Sequence, residues 1–220
     1  MTQEPLAPPR RVLATRNAAW AQAFARWLGR VGVRPNAVSI AGVVFALVAS
    51  IAFYFVAETT GGARATLLVI AAATIQLRLL CNLLDGMLAV EGKFKSKTGE
   101  IYNDLPDRVA DVFILVGAGY SARHLAYAVP LGWAAAVLAV FTAYVRVLGG
   151  SLGVTQHFIG PMAKQHRMFT LTVAALLAAV ETLAGMQPRA IRIALGLIVA
   201  GSIATVFRRT RRIAGEVNAR

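Results

Sequence analysis

Six long apolar runs constrain this chain more than any other feature. The first, VSIAGVVFALVASIAFYFVA (38–57), contains no charged residue. A run of that length crosses a bilayer as a helix, because a helix pairs its backbone N–H and C=O groups within its own segment. Further runs lie near 67–90, 104–122, 126–148, 168–186 and 188–207. A hydrophobic content of 57% exceeds that of ordinary soluble domains. The expected fold class is therefore an all-α integral membrane protein with six transmembrane helices.

The flanks divide the chain further. Residues 1–9 are Pro-rich and are expected to be disordered. In 10–34, Trp20, Phe24, Trp27 and Leu28 recur at helical spacing opposite Arg16, Arg26 and Arg30. That pattern reads as an amphipathic helix lying in the interface; the alternative, which does not exclude it, is a short helix packed on the body. Residues 35–207 form the six-helix membrane domain, and 208–220 form a basic tail. No apolar core follows the first basic residues, so no signal peptide is expected and the first span directs insertion. The single cysteine, Cys81, excludes an intrachain disulfide and reads as a small apolar helix residue.

The net charge of +13 is placed unevenly. Basic residues fall in the N-terminal segment, the 91–103 loop (Lys93, Lys95, Lys97), the 150–167 loop (Lys164, Arg167) and the tail (Arg208, Arg209, Arg211, Arg212). The opposite loops hold Arg64, Arg123, Arg189 and Arg192. The excess of positive charge puts both termini in the cytoplasm, facing anionic membrane lipids. An even number of spans agrees. The basic residues do not alternate with aromatic ones in stacking patches, so nucleic-acid binding is not expected.

Against this background the carboxylates stand out. Asn82 and Asp85 are three residues apart on the second span. Asn103, Asp107 and Asp111 recur every fourth residue at the start of the third, with Asp104 beside them. Charges near a membrane helix persist only when an ion, a partner or a wet cavity compensates them. Clustered amide and carboxylate oxygens are what Mg²⁺ or Mn²⁺ takes, and such ions polarise phosphoryl groups. Gly86 leaves room for a substrate near the backbone. The bland alternative pairs Asp85 with Arg78 or Arg108 and makes Asp104 a helix cap. A transport path would need polar groups along the whole depth of the bilayer, whereas only Glu181 lies near the far side.

Lys164 and Arg167 open the fifth span, where a helix N-terminus and two cations make an anion site, or merely flank the membrane. Arg146, near the end of the fourth span, either joins that site or snorkels to the interface.

The run from Asn82 to Asp107 resembles the signature of the CDP-alcohol phosphatidyltransferase family. Asp85, Gly86, Ala89, Gly99 and Asp107 match without a gap. Asn82 and Asn103 stand where the family has Asp, and Val90 where it has Arg. The stretch GVRPNAVSIAG before the first span is similar too, as are the six-span plan and the basic loop after span four.

The resemblance implies transfer of a phosphatidyl or similar group from a CDP-linked lipid, such as CDP-diacylglycerol, to a small alcohol or phospho-alcohol, releasing CMP. It implies a site on the cytoplasmic side of a bacterial inner membrane. Asn82, Asp85, Asn103, Asp104, Asp107 and Asp111 would ligate Mg²⁺ or Mn²⁺. Asp107 is the implied base, with Asp111 as the alternative. Asn36, Ser39, Gly86, Ala89 and Gly99 would border the nucleotide, and Arg146, Lys164 and Arg167 the acceptor. Each Asn keeps a carbonyl oxygen for a cation but brings no charge, which weakens metal binding. A catalytically altered member of the same fold, binding lipid or a partner, is the alternative. Small residues such as Gly42 and Ala71 to Ala73 permit close helix contacts, including those of a homodimer.

Overall fold

The computed structural model describes residues 18–91 and 99–219. Residues 1–9, the start of the expected interfacial helix with Arg16, and Lys93, Lys95 and Lys97 lie outside the described residues. The described residues form seven helices and no strand: α1 (Ala19–Arg30), α2 (Pro35–Val56), α3 (Gly61–Glu91), α4 (Gly99–Ser121), α5 (Ala128–Ser151), α6 (Lys164–Leu183) and α7 (Ala190–Asn218).

Five of these, α2, α3, α5, α6 and α7, are long and apolar enough to cross a membrane. The chain is thus an integral membrane protein of the all-α class. The remaining long helix, α4, carries Asp104, Asp107, Arg108 and Asp111 between its start and its middle and turns apolar only afterwards. Pro35 opens α2 at a position where a helix N–H needs no intrahelical partner.

The six long helices close into a ring. α2 packs on α3 and α4, α3 on α6, α6 on α7, α7 on α5, and α5 back on α4. α3 and α4, consecutive in the chain, touch each other only over a short stretch. The interior is dominated by alanine, including Ala46, Ala49, Ala135, Ala139, Ala175 and Ala178. Small side chains let helix backbones approach closely, as membrane bundles require. At Gly117 the approach is closest, since a Cβ there would sit 2.7 Å from the Ser50 Cα on α2. Gly42 faces Cys81 on α3, so its small size serves packing within the chain. The outer faces carry Ile40, Val44 and Ile51 on α2, Val137 and Phe141 on α5, and Leu177 and Val180 on α6, all exposed.

Both flanking segments are helical where they are described. In α1, Ala21 and Ala25 are the buried residues and join Leu84 and Leu88 of α3 in one cluster. Trp20, Phe24 and Trp27 are exposed, the last two stacked with ring centres 5.6 Å apart. α7 does not stop at 207 but continues through the basic tail to Asn218. Ile213 packs there against Val145 and Val154, and Arg212 pairs with Glu216 one turn on at 2.7 Å. Such i,i+4 pairs, with a buried apolar anchor, extend a helix past the membrane.

Candidate functional site

Helix ends bring the site together. The C-terminal half of α3 presents Arg78, Asn82 and Asp85 at steps of four and three, hence on one face. Between its start and its middle, α4 presents Asp104, Asp107 and Asp111 in the same way, with Arg108 alongside. Ser39 comes from the start of α2, Arg146 from the end of α5, and Lys164 and Arg167 from the start of α6. All of them meet at one end of the ring.

Two levels can be distinguished. The deeper one is a sealed ion-pair triad. Arg78 Nη2 donates to Asp111 Oδ1 at 2.6 Å, and Arg167 Nη2 to Asp111 Oδ2 at 3.0 Å. All three side chains are about 1% exposed. Arg167 also donates to Thr142 Oγ1 and to the Met162 carbonyl. Arg78 reaches the Asp107 carbonyl at 3.0 Å. Charges this deep are tolerated only when paired and hydrogen-bonded, and here both carboxylate oxygens are taken by guanidinium groups.

The upper level is partly open. Asn82 Nδ2 donates to both oxygens of Asp107 at 2.9 Å. Lys164 Nζ also donates to Asp107 Oδ2. Arg78 and Arg108 lie 3.4 and 3.8 Å from the same carboxylate. Asp104, nearly half exposed, takes Arg146 at 2.8 Å and Arg108 at 3.4 Å. Arg146 lies over the Phe158 ring as well. Asp85 is different. Ser39 Oγ donates to its Oδ2 at 2.7 Å, while its buried Oδ1 has no partner among the described residues. A buried carboxylate oxygen without a donor is costly unless something else fills the place.

Sequence reasoning thus placed Asn82, Asp85, Asp104, Asp107, Asp111, Ser39, Arg146, Lys164 and Arg167 in one region, and the structure brings them together. Asn36 and Gly86 flank it on α2 and α3. Gly99 opens α4, and the side chains of Ala89 and Asn103 lie outside the described residues. Arg78 was considered only as a partner of Asp85; it serves Asp111 and Asp107 instead, four residues before Asn82 on the same face. Thr142 and Arg209 were missed. Arg209 donates to the carbonyls of Thr142 at 2.6 Å and Ile159 at 2.9 Å, tying α7 and the 152–163 loop to α5. Glu181 lies away from the site and accepts the N–H groups of Arg189 and Ala190, capping α7.

The fit to a divalent cation is partial. Among the described residues no three His, Cys, Asp or Glu side chains converge as a ligand set. The orphaned Asp85 oxygen and the neighbouring Asn82 carbonyl are nonetheless hard oxygen donors. Mg²⁺ binds through one or two such groups when waters and substrate phosphates complete its shell. The residues fit one such ion.

A helical ring with a charged centre at one end defines a class of α-helical membrane protein with a buried polar site. The particular fold is that of phosphatidylinositol phosphate synthase from Mycobacterium tuberculosis. Its structure with CDP-DAG bound matches with a TM-score of 0.75 at 19% identity, over 89% of this chain and 94% of that one. The complex with manganese and citrate matches at 0.73 and 19%, over 88% of each chain. The apo form matches at 0.70 and 19%, over 86% and 93%. At that identity the likeness is one of fold. No family model matches the chain, and no curated protein matches it.

Proposed function

We propose that this chain is a membrane transferase of the CDP-alcohol phosphatidyltransferase type. It moves a phosphatidyl or similar phospho-lipid group from a CDP-linked lipid to an alcohol and releases CMP. The observation that carries this reading is the unpartnered Asp85 oxygen beside the Asn82–Asp107 pair, on the fold of a protein solved with CDP-DAG. Six spans, with α4 as the sixth, and α1 lying in the interface belong to the same proposal. So does a cytoplasmic site flanked by both termini.

The chain's own residues divide the work. Lys164, Arg108 and Arg146 are only 16–18% exposed, yet border the open level. They are placed to hold the pyrophosphate, and the partial burial strengthens each charge. Asp107, which accepts from Asn82 and Lys164, takes the proton of the acceptor hydroxyl. The acceptor oxygen then bonds to the β-phosphorus, the bond from that phosphorus to the bridging oxygen breaks, and CMP carries the electrons away. Asp111 is assigned no proton: it holds Arg78 and Arg167 in place. A divalent cation held by Asp85 and Asn82 would neutralise charge on the phosphoryl oxygens. Positioning and charge compensation account for most of the acceleration in such transfers.

CMP release from CDP-diacylglycerol tests this, with purified protein in detergent and glycerol 3-phosphate, inositol, inositol phosphate and serine as acceptors. Release that chelator stops, and that Asp107→Asn lacks, supports the reading. Folded protein inert with every acceptor defeats it. A second reading, an altered member that binds the lipid without transfer, is favoured by the pairing of Asp104, Asp107 and Asp111 with the chain's own cations. It predicts that CDP-diacylglycerol raises the melting temperature while no CMP appears.

A further inference from the structure

The chain carries a cation on the carboxylate that two-ion chemistry would need free. Asp107 accepts from Lys164 Nζ and, through both of its oxygens, from Asn82 Nδ2, and two guanidinium groups stand within 4 Å of it. Lys164 is fixed there by its place at the start of α6, one turn before Arg167, which is locked on Asp111. Asp85, by contrast, retains a buried oxygen with no donor among the described residues. Five cations, Arg78, Arg108, Arg146, Lys164 and Arg167, thus surround Asp104, Asp107 and Asp111, and none is paired with Asp85.

We infer that the Lys164 ammonium stands in for a second divalent ion, so that the site takes a single metal ion, at Asp85. The substitution is chemically balanced. Asn82 provides N–H groups that a carboxylate at that position would lack, and these satisfy Asp107 without an ion. An ammonium brings a compact charge and three donors, enough to hold Asp107 and a substrate phosphate oxygen together. A second divalent ion at Asp107 would have to take the place that the Lys164 ammonium holds, and repulsion between the two excludes it while that charge is there.

This inference rests on the metal site of the transferase reading but not on its chemistry. Mn²⁺ titrated into the full chain in detergent, with free Mn²⁺ read by electron paramagnetic resonance, counts the bound ions. One ion per wild-type chain is expected, none in Asp85→Asn, and one in Lys164→Arg. Lys164→Gln, eluting as a monodisperse species, is expected to bind a second. Lys164→Met repeats that measurement if the Gln variant does not fold. Two ions in the wild type overturn the inference, as do none in the wild type or a single ion in the folded neutral variants. CMP release is scored separately, so an inert protein that binds one ion defeats the transferase reading alone.

Discussion

At the scale of single residues, the two levels of the site predict different outcomes. Asp111→Asn leaves Arg78 and Arg167 buried against a neutral amide. Breaking a buried pair in this way costs about 3–5 kcal/mol, so thermal unfolding in detergent should shift strongly downward. Asp104 is 43% exposed, and Asp104→Asn should cost less than about 1 kcal/mol. Ser39→Ala frees the second Asp85 oxygen from its donor. Loss of a group that orients a ligand lowers metal affinity or activity about 10–100-fold, which the Mn²⁺ titration and the CMP assay measure together. Much of this region was legible in advance. Steps of three and four put Asn82 with Asp85, and Asp107 with Asp111, on shared faces. The pairing of cations with carboxylates was not legible, because it is set between distant segments: Lys164 lies 57 residues beyond Asp107. Arg78 reads from the sequence as a partner of Asp85, and only the placement of α4 against α3 gives it to Asp111.

At the scale of helices, packing rests on close approach rather than on bulk. Gly117→Val drives a side chain into the Ser50 backbone and should destabilise the protein by about 1–3 kcal/mol, the usual cost of overpacking. Gly196 has nothing within 4 Å of an added Cβ, so Gly196→Ala should stay within about 0.5 kcal/mol of wild type. Comparing the two melting temperatures checks both. Gly160 adopts φ +126°, and a Cβ there would run into Thr205. Gly160→Ala should therefore loosen the loop that delivers Lys164 and lower CMP release more than it lowers stability. The apolar runs were readable because a span of about 20 residues leaves no doubt about helix. The ends were less so. Hydropathy stops at 207, whereas α7 continues on Ile213 and the Arg212–Glu216 pair, which a hydropathy window cannot register.

At the scale of the whole molecule, the ring order α2–α3–α6–α7–α5–α4 is not the chain order. Periodicity within one helix carries no record of which neighbours it will meet, so this arrangement was not legible. It has a consequence for how the protein is made. On the proposed six-span plan, Asp111 enters the bilayer on α4 when Arg78, 33 residues earlier, has already been synthesised, while Arg167 is still 56 residues away. A lone carboxylate at the centre of an inserting helix costs about 2.5–3.5 kcal/mol. Arg78 is its one available triad partner at that moment, and α6 must later slot in beside α3 to supply the other. Both arginines pair with Asp111 in the finished molecule, but they are not equally available during its birth. Arg78→Ala should impair insertion of α4 in a translocon assay with nascent chains ending before α6, and Arg167→Ala should become damaging only once α6 has emerged.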